Sequence, residues 1–166
     1  MSTATSERSR RARDTGAGSD GDFILLVEDN EDDVDLTLRA FRKVQIANHI
    51  EVVRDGREAL DFLHATGPYA ARDPRHTPQV VLLDLKLPRV EGLEVLRRMR
   101  EDERTRFVPV VILTSSKHEE DLVSGYLNGA NSYVCKPVDM QQFVEAMRQL
   151  GIYWLLLNQR APKGAA

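Results

Sequence analysis

Five short apolar runs punctuate the chain, at residues 23–27, 50–53, 80–83, 108–113 and 133–135. The first, third and fourth are apolar throughout, as expected of strands buried on both faces of a parallel sheet. Between and after them lie segments of helical period, at 33–44, 56–65, 92–100, 119–128 and 140–158. In the first of these, Val34, Leu38 and Phe41 recur at helical spacing. Asn30 suits the N-cap, with Glu31, Asp32 and Asp33 in a first turn whose dipole favours anions. A helix after every strand predicts an α/β fold, a (βα)5 doubly wound parallel sheet with helices on both faces.

Residues 1–22 stand outside the pattern. They are rich in Ser, Thr, Ala, Gly and Arg, with almost no core-forming side chains, and are expected to be a disordered tail. The expected organisation is this tail, one domain over 23–160 with an extended last helix, and a short tail over 161–166. Gly16-Ala17-Gly18-Ser19-Asp20-Gly21 matches a dinucleotide-binding fingerprint in letters only, because a strand follows it instead of preceding it.

Composition narrows the function. The 42% hydrophobic and 30% charged residues suffice for a core, and a net charge of −3 does not suggest general nucleic-acid binding. The longest apolar run near the C-terminus, residues 152–157, is too short to span a membrane. Arg10-Arg11 is followed by no apolar stretch, so no export signal is read there. The one cysteine, Cys135, fits a reducing cytoplasm; it is expected to be a small buried hydrophobe. His49, His64, His76 and His118 have no metal-ligand spacing and are expected to face solvent.

The chemistry gathers at the carboxyl ends of the strands, where ligands bind in such sheets. Glu28 and Asp29 follow the first strand, Asp84 the third, Thr114 and Ser115 the fourth, and Lys136-Pro137 the fifth. Two carboxylates about 4 Å apart repel by roughly 4 kcal/mol at an effective dielectric near 20, so the clustering needs compensation. Glu28, Asp29 and Asp84 make a hard-oxygen set suited to Mg2+. Glu31, Asp32 and Asp33 have the milder explanation of a helix start in water.

Four pieces in this order, Leu26-Val27-Glu28-Asp29, Leu82-Leu83-Asp84-Leu85-Lys86-Leu87-Pro88, Ile112-Leu113-Thr114-Ser115 and Tyr133-Val134-Cys135-Lys136-Pro137, resemble the receiver domain of two-component response regulators. The resemblance covers about residues 23 to 150 and implies a flavodoxin-like sheet in the order 2-1-3-4-5. It implies Asp84 as the phosphoacceptor, a carboxylate nucleophile. Asp29, Asp84 and the backbone carbonyl of Lys86 become Mg2+ ligands, with Glu28 acting through water. Lys136 would neutralise phosphoryl oxygens, and Thr114 would hydrogen-bond the attached group. Tyr133 would be the aromatic switch that follows Thr114, and Pro137 would follow a cis peptide bond. Phosphoryl transfer itself asks mostly for positioning and charge neutralisation, which these groups supply.

Two other classes compete. A phosphatase of the haloacid dehalogenase type needs a second aspartate two residues after the nucleophile, and Lys86 stands there. A pseudo-receiver, a binding module without phosphotransfer, is expected to lack one of Asp29, Asp84 or Lys136, and all are present. The expected activity is confined to the protein's own phosphorylation and dephosphorylation, so it is not an enzyme on a separate substrate. With little chain after residue 160, signalling is expected to proceed by docking. The long 66–78 loop and the extended last helix resemble the single-domain regulators of bacterial phytochrome-type histidine kinases, implying such a kinase as partner. Along that helix Phe143, Val144, Met147, Leu150 and Trp154 form the packing face. Ile152, Leu155 and Leu156 form an apolar patch expected to bury itself in a homodimer, unless the chain bends at Gly151 and folds the patch inward.

Overall fold

The computed structural model describes residues 21–136 and 139–162. Five strands alternate with five helices: β1 (Phe23–Val27), α1 (Glu31–Lys43), β2 (His49–Val53), α2 (Gly56–His64), β3 (Val80–Leu83), α3 (Gly92–Glu101), β4 (Val110–Thr114), α4 (Glu119–Leu127), β5 (Ser132–Cys135) and α5 (Met140–Gly151). All pairings are parallel, in the order β2-β1-β3-β4-β5. The expected flavodoxin-like sheet is therefore observed. Most of the expected tail, residues 1–20, lies outside the described residues, as do 163–166 and Pro137, on which the cis-peptide expectation falls.

Alternation along the strands splits the core in two. Leu25 and Val27 of β1, Val81 and Leu83 of β3, and Val110 and Ile112 of β4 pack under α2 and α3. Ile24 and Leu26, Val80 and Leu82, and Val111 and Leu113 pack under α1 and α5. β1, β3 and β4 are buried at every position, whereas the outer strands β2 and β5 are mostly half-exposed. Cys135, at the end of the edge strand β5, is exposed rather than buried. His49 and His118 face solvent, but His64 lies 3.3 Å from Asp102 and His76 packs edge-on against Phe23, both half-buried.

Capping and proline chemistry set the boundaries. α1 starts at Glu31, as expected of Asn30 as its N-cap, whose Oδ1 accepts the Asp33 N–H at 3.0 Å. β4 starts at Val110, after Pro109, which has no N–H to give; its carbonyl still accepts from Val81 at 2.9 Å. The 66–78 loop is fixed by side chains. Arg72 stacks 3.7 Å from the Phe62 ring centroid and donates to the carbonyls of Phe62 and His76. The Tyr69 hydroxyl donates to Glu58 at 2.6 Å, while Glu58 also accepts the Arg54 N–H at 2.8 Å.

The last helix does not run on unchanged. After Gly151 it widens into a π-helical turn over Ile152–Leu157, closed by the Asn158 N–H on the Tyr153 carbonyl at 2.7 Å. Each residue of a wider turn rotates by less, so Trp154 and Leu155 both face the domain. Trp154 is buried, and Leu155 packs against the α1/α5 core while its carbonyl accepts from the buried Gln79 amide at 3.1 Å. Leu155 therefore leaves the expected solvent patch. Ile152 and Leu156 remain exposed, joined by Tyr153 and Leu157.

Candidate functional site

The parity that sorts the core also aims the strand ends. Glu28 continues the series Ile24–Leu26, Asp84 the series Val80–Leu82, and Lys136 follows Val134, all on the α1 side. Backbone bonds lock these positions: the Glu28 N–H on Val53 at 3.0 Å, the Asp84 N–H on Val27 at 3.1 Å and the Lys136 N–H on Thr114 at 2.7 Å. Gly92, at the start of α3, lets the loop after Asp84 fold back. A Cβ there would lie 2.1 Å from the Asp84 carbonyl oxygen, and its own N–H bonds Leu85 at 2.9 Å.

The result is an acidic pocket with one cation in it. Carboxylate oxygens of Glu28, Asp29 and Asp84 lie within 4.8 Å of one another. The Lys136 ammonium donates to Glu28 Oε2 at 2.5 Å, Asp33 Oδ2 at 2.9 Å and Asp84 Oδ2 at 3.1 Å. The Lys136, Glu28 and Asp84 side chains are only 8%, 3% and 10% exposed, so water does little of the compensation. Burial pushes Glu28 up to about 7, against the opposing hydrogen bond from Lys136. Burial pulls the Lys136 ammonium down, but its bonds to Glu28 and Asp33 and the field of Asp84 outweigh that and raise it. Three carboxylates around one ammonium, with exposed Asp29 beside them and without an ion pair among the described residues, leave the edge strongly negative. Hard oxygens at this spacing, with excess negative charge, fit a divalent cation such as Mg2+. Lys86 is exposed, and its N–H donates to Asp84 Oδ1 at 3.2 Å.

Thr114 and Tyr133 belong to the opposite parity, toward α4. Thr114 is buried, and its Oγ1 accepts the Ser116 N–H at 3.4 Å. The Tyr133 hydroxyl donates to the Ser116 carbonyl at 3.1 Å, and burial raises the phenol. The Ser116 hydroxyl in turn donates to Asp121 at 2.5 Å. Gly125 lets α4 close over this corner, since a Cβ there would meet Ile112 Cδ1 at 2.6 Å and Tyr133 Cδ2 at 3.3 Å.

Glu28, Asp29, Asp84 and Lys136 are thus brought together, with Thr114 and Tyr133 linked through Ser116 on the neighbouring face. Ile152, Leu155 and Leu156 belong to the remote last turn. Sequence reading missed two residues. Asp33, assigned only to the helix start, reaches Lys136; its place in the first turn after the strand end that carries Glu28 and Asp29 was the signal that could have found it. Ser116 sits in an irregular loop and had no such signal.

Known proteins resemble this chain in sequence and fold. The family model described as the response regulator receiver domain matches residues 24–148. The chain is 42% identical over 139 residues to the probable methanogenesis regulatory protein FilR2 of Methanothrix harundinacea, covering 82% of this chain and 86% of that one. It is 54% identical to the bacteriophytochrome response regulator AtBRR, with a TM-score of 0.66 over 82% of this chain and 96% of that one. The Mn(2+)-bound form of the response regulator Rcp1 superposes with a TM-score of 0.77 at 30% identity, over 85% of this chain and 99% of that one. Rcp1 of Synechocystis is 33% identical over 132 residues, covering 80% of this chain and 88% of that one.

Proposed function

The chain belongs to the response regulator receiver domain family, and on that premise we propose that it accepts a phosphoryl group on Asp84 from a phosphohistidine of a partner kinase. The observation that carries this reading is the Asp84 carboxylate held between the acidic group of Glu28 and Asp29 and the ammonium of Lys136. One Asp84 oxygen attacks phosphorus; the P–N bond breaks with its electron pair going to the imidazole, which takes a proton from solvent. A carboxylate is ionised at neutral pH, so no general base is needed. Asp29, Asp84 and the Lys86 carbonyl would ligate Mg2+, with Glu28 acting through water; the cation supplies charge neutralisation on the phosphoryl oxygens. Lys136 donates to those oxygens, and Thr114 takes the remaining one, with Tyr133 following through Ser116. The protein's chemistry is confined to its own Asp84; it is a switch and not an enzyme on a separate substrate.

The test uses labelled acetyl phosphate, whose attack by Asp84 releases acetate. Wild type takes up label with Mg2+ and not with EDTA, and Asp84→Asn takes up none. Label that survives Asp84→Asn overturns the reading. The bacteriophytochrome regulator AtBRR at 54% identity supports a phytochrome-type histidine kinase as donor, and such a kinase works in the cytoplasm, where its ATP is. Phosphotransfer from a purified bacteriophytochrome kinase, compared with an unrelated kinase, checks that partner; equal rates would refute it. We read the exposed Ile152 and Leu156, 46% and 76% accessible, as part of a homodimer surface. Sedimentation of wild type against Ile152→Asp/Leu156→Asp decides, and a monomeric wild type, phosphorylated or not, sinks the dimer. The described residues contain no helix long and apolar enough to cross a membrane.

A further inference from the structure

The Lys136 ammonium has three protons, and three carboxylates take them: Glu28, Asp33 and Asp84. Two of the three, Glu28 and Asp84, belong to the acidic group suited to a cation, together with Asp29. Asp33 does not. Glu28 and Asp84 would turn to a cation held at that group, and Asp33 would be left as the residue still holding Lys136.

Asp33 is built for that contact. Its N–H is held by Asn30 Oδ1 at 3.0 Å and its carbonyl by the Thr37 hydroxyl at 2.8 Å, with Thr37 buried. Capping therefore belongs to Asn30, and the Asp33 carboxylate is left to reach Lys136. Asp32, beside it in the same first turn, is exposed and has no ion pair among the described residues. The two aspartates offer the same charge to the helix dipole, but only Asp33 touches the lysine.

A phosphoryl group on Asp84 needs donors from Lys136 and so competes with Asp33 for them, while the Asp33 charge repels it. We infer that Asp33 is a positioning residue that holds Lys136 in its unphosphorylated place and limits how tightly the site takes a phosphoryl group. This rests on Asp84 as the acceptor.

The experiment measures beryllofluoride, a phosphoryl mimic, by calorimetry on the full chain at saturating Mg2+. Wild type is compared with Asp33→Asn, Asp33→Glu and Asp32→Asn. Asp33→Asn is expected to bind about three- to fivefold tighter, the scale of one partly exposed ion pair. The acetyl phosphate concentration for half-maximal labelling falls by a similar factor, and the maximal rate is unchanged; a loosened α1 would lower the maximal rate instead. Asp33→Glu returns toward wild type, and Asp32→Asn matches it. In metal-free protein, Asp33→Asn speeds exchange of the Lys136 ammonium protons. Unchanged or weaker beryllofluoride binding in Asp33→Asn overturns the inference while labelling at Asp84 stands. So does an equal gain in Asp32→Asn, which would reduce the effect to general charge. A wild type that binds no beryllofluoride and takes no label overturns the Asp84 reading and this inference together.

Discussion

The carboxyl edge of the sheet and the turn Ile152–Leu157 depart from ordinary burial in opposite directions. At the first, Glu28, Asp84 and Lys136 put charge almost wholly out of water. At the second, Ile152, Tyr153, Leu156 and Leu157 leave apolar surface in it. The charged site is compensated in part inside the chain, by one ammonium meeting three carboxylates. The apolar turn has no such compensation among the described residues, so its stability can depend on what covers it. An internally closed site should be fragile to single substitutions, whereas an open surface should tolerate them and respond in association instead.

The largest expected effect follows from Lys136→Met. It strands buried carboxylates and should cost about 3 kcal/mol in a urea melt at neutral pH without metal. Added Mg2+ should recover part of that loss. The deficit should also shrink in acid. Glu28 is raised from 4.5 to about 7 in the folded protein, so its contribution is fully present below about 4.5 and is lost as pH rises through about 7. A deficit that grows on acidification would show that Glu28 is not the group absorbing the charge.

Gly92→Ala comes next. Its Cβ would press on the Asp84 carbonyl at 2.1 Å and the Leu85 Cα at 2.8 Å, both backbone. About 2 kcal/mol of stability should go, along with slower acetyl phosphate labelling, because the strained loop carries Asp84. Normal labelling with a normal melt would mean that the loop yields more easily than its geometry indicates.

Within the last turn, neighbouring leucines should part company. Leu155→Ala removes a half-buried side chain packed on the core and should cost about 1–2 kcal/mol. Leu156→Ala should stay within about 0.5 kcal/mol in the monomer and instead weaken self-association in sedimentation. Equal costs would mean that both side chains pack on the domain.

At Gly151→Ala two opposing effects should nearly cancel. A Cβ there meets Ile46 Cδ1 at 2.4 Å, the far end of a flexible side chain, and Ile46 is only partly buried. The helix gains up to about 1 kcal/mol from losing a glycine, so the net change in melting should lie within about 1 kcal/mol of zero. A large loss would show that α5 approaches Ile46 too closely for any Cβ.

The fold and most of the site were legible because both obey short periods. The all-apolar runs at 23–27 and 80–83, four or five residues long between helix-period segments, read as strands covered on both faces. Once they are parallel, Glu28, Asp29 and Asp84 fall at one edge without knowledge of any contact. Asn30 declared the start of α1 through capping chemistry alone. Asp33 was misjudged because the same charge serves a helix dipole or an ion pair, and the choice depends on a lysine more than a hundred residues away. Cys135 was misjudged because a three-residue run does not reveal that its strand lies on the sheet's edge.

Sequence by itself determined the order of strands and helices, the two-faced core and the identity of the charged groups, since local propensity and side-chain alternation repeat over a few residues. Only the tertiary structure decided which acids share Lys136, that Ser116 joins Thr114 to Tyr133, and that the last turn widens so that Leu155 turns inward onto Gln79. Those outcomes depend on distances between segments remote in the chain, where close packing and the hydrogen-bond needs of buried groups select one arrangement among several that the local pattern allows equally.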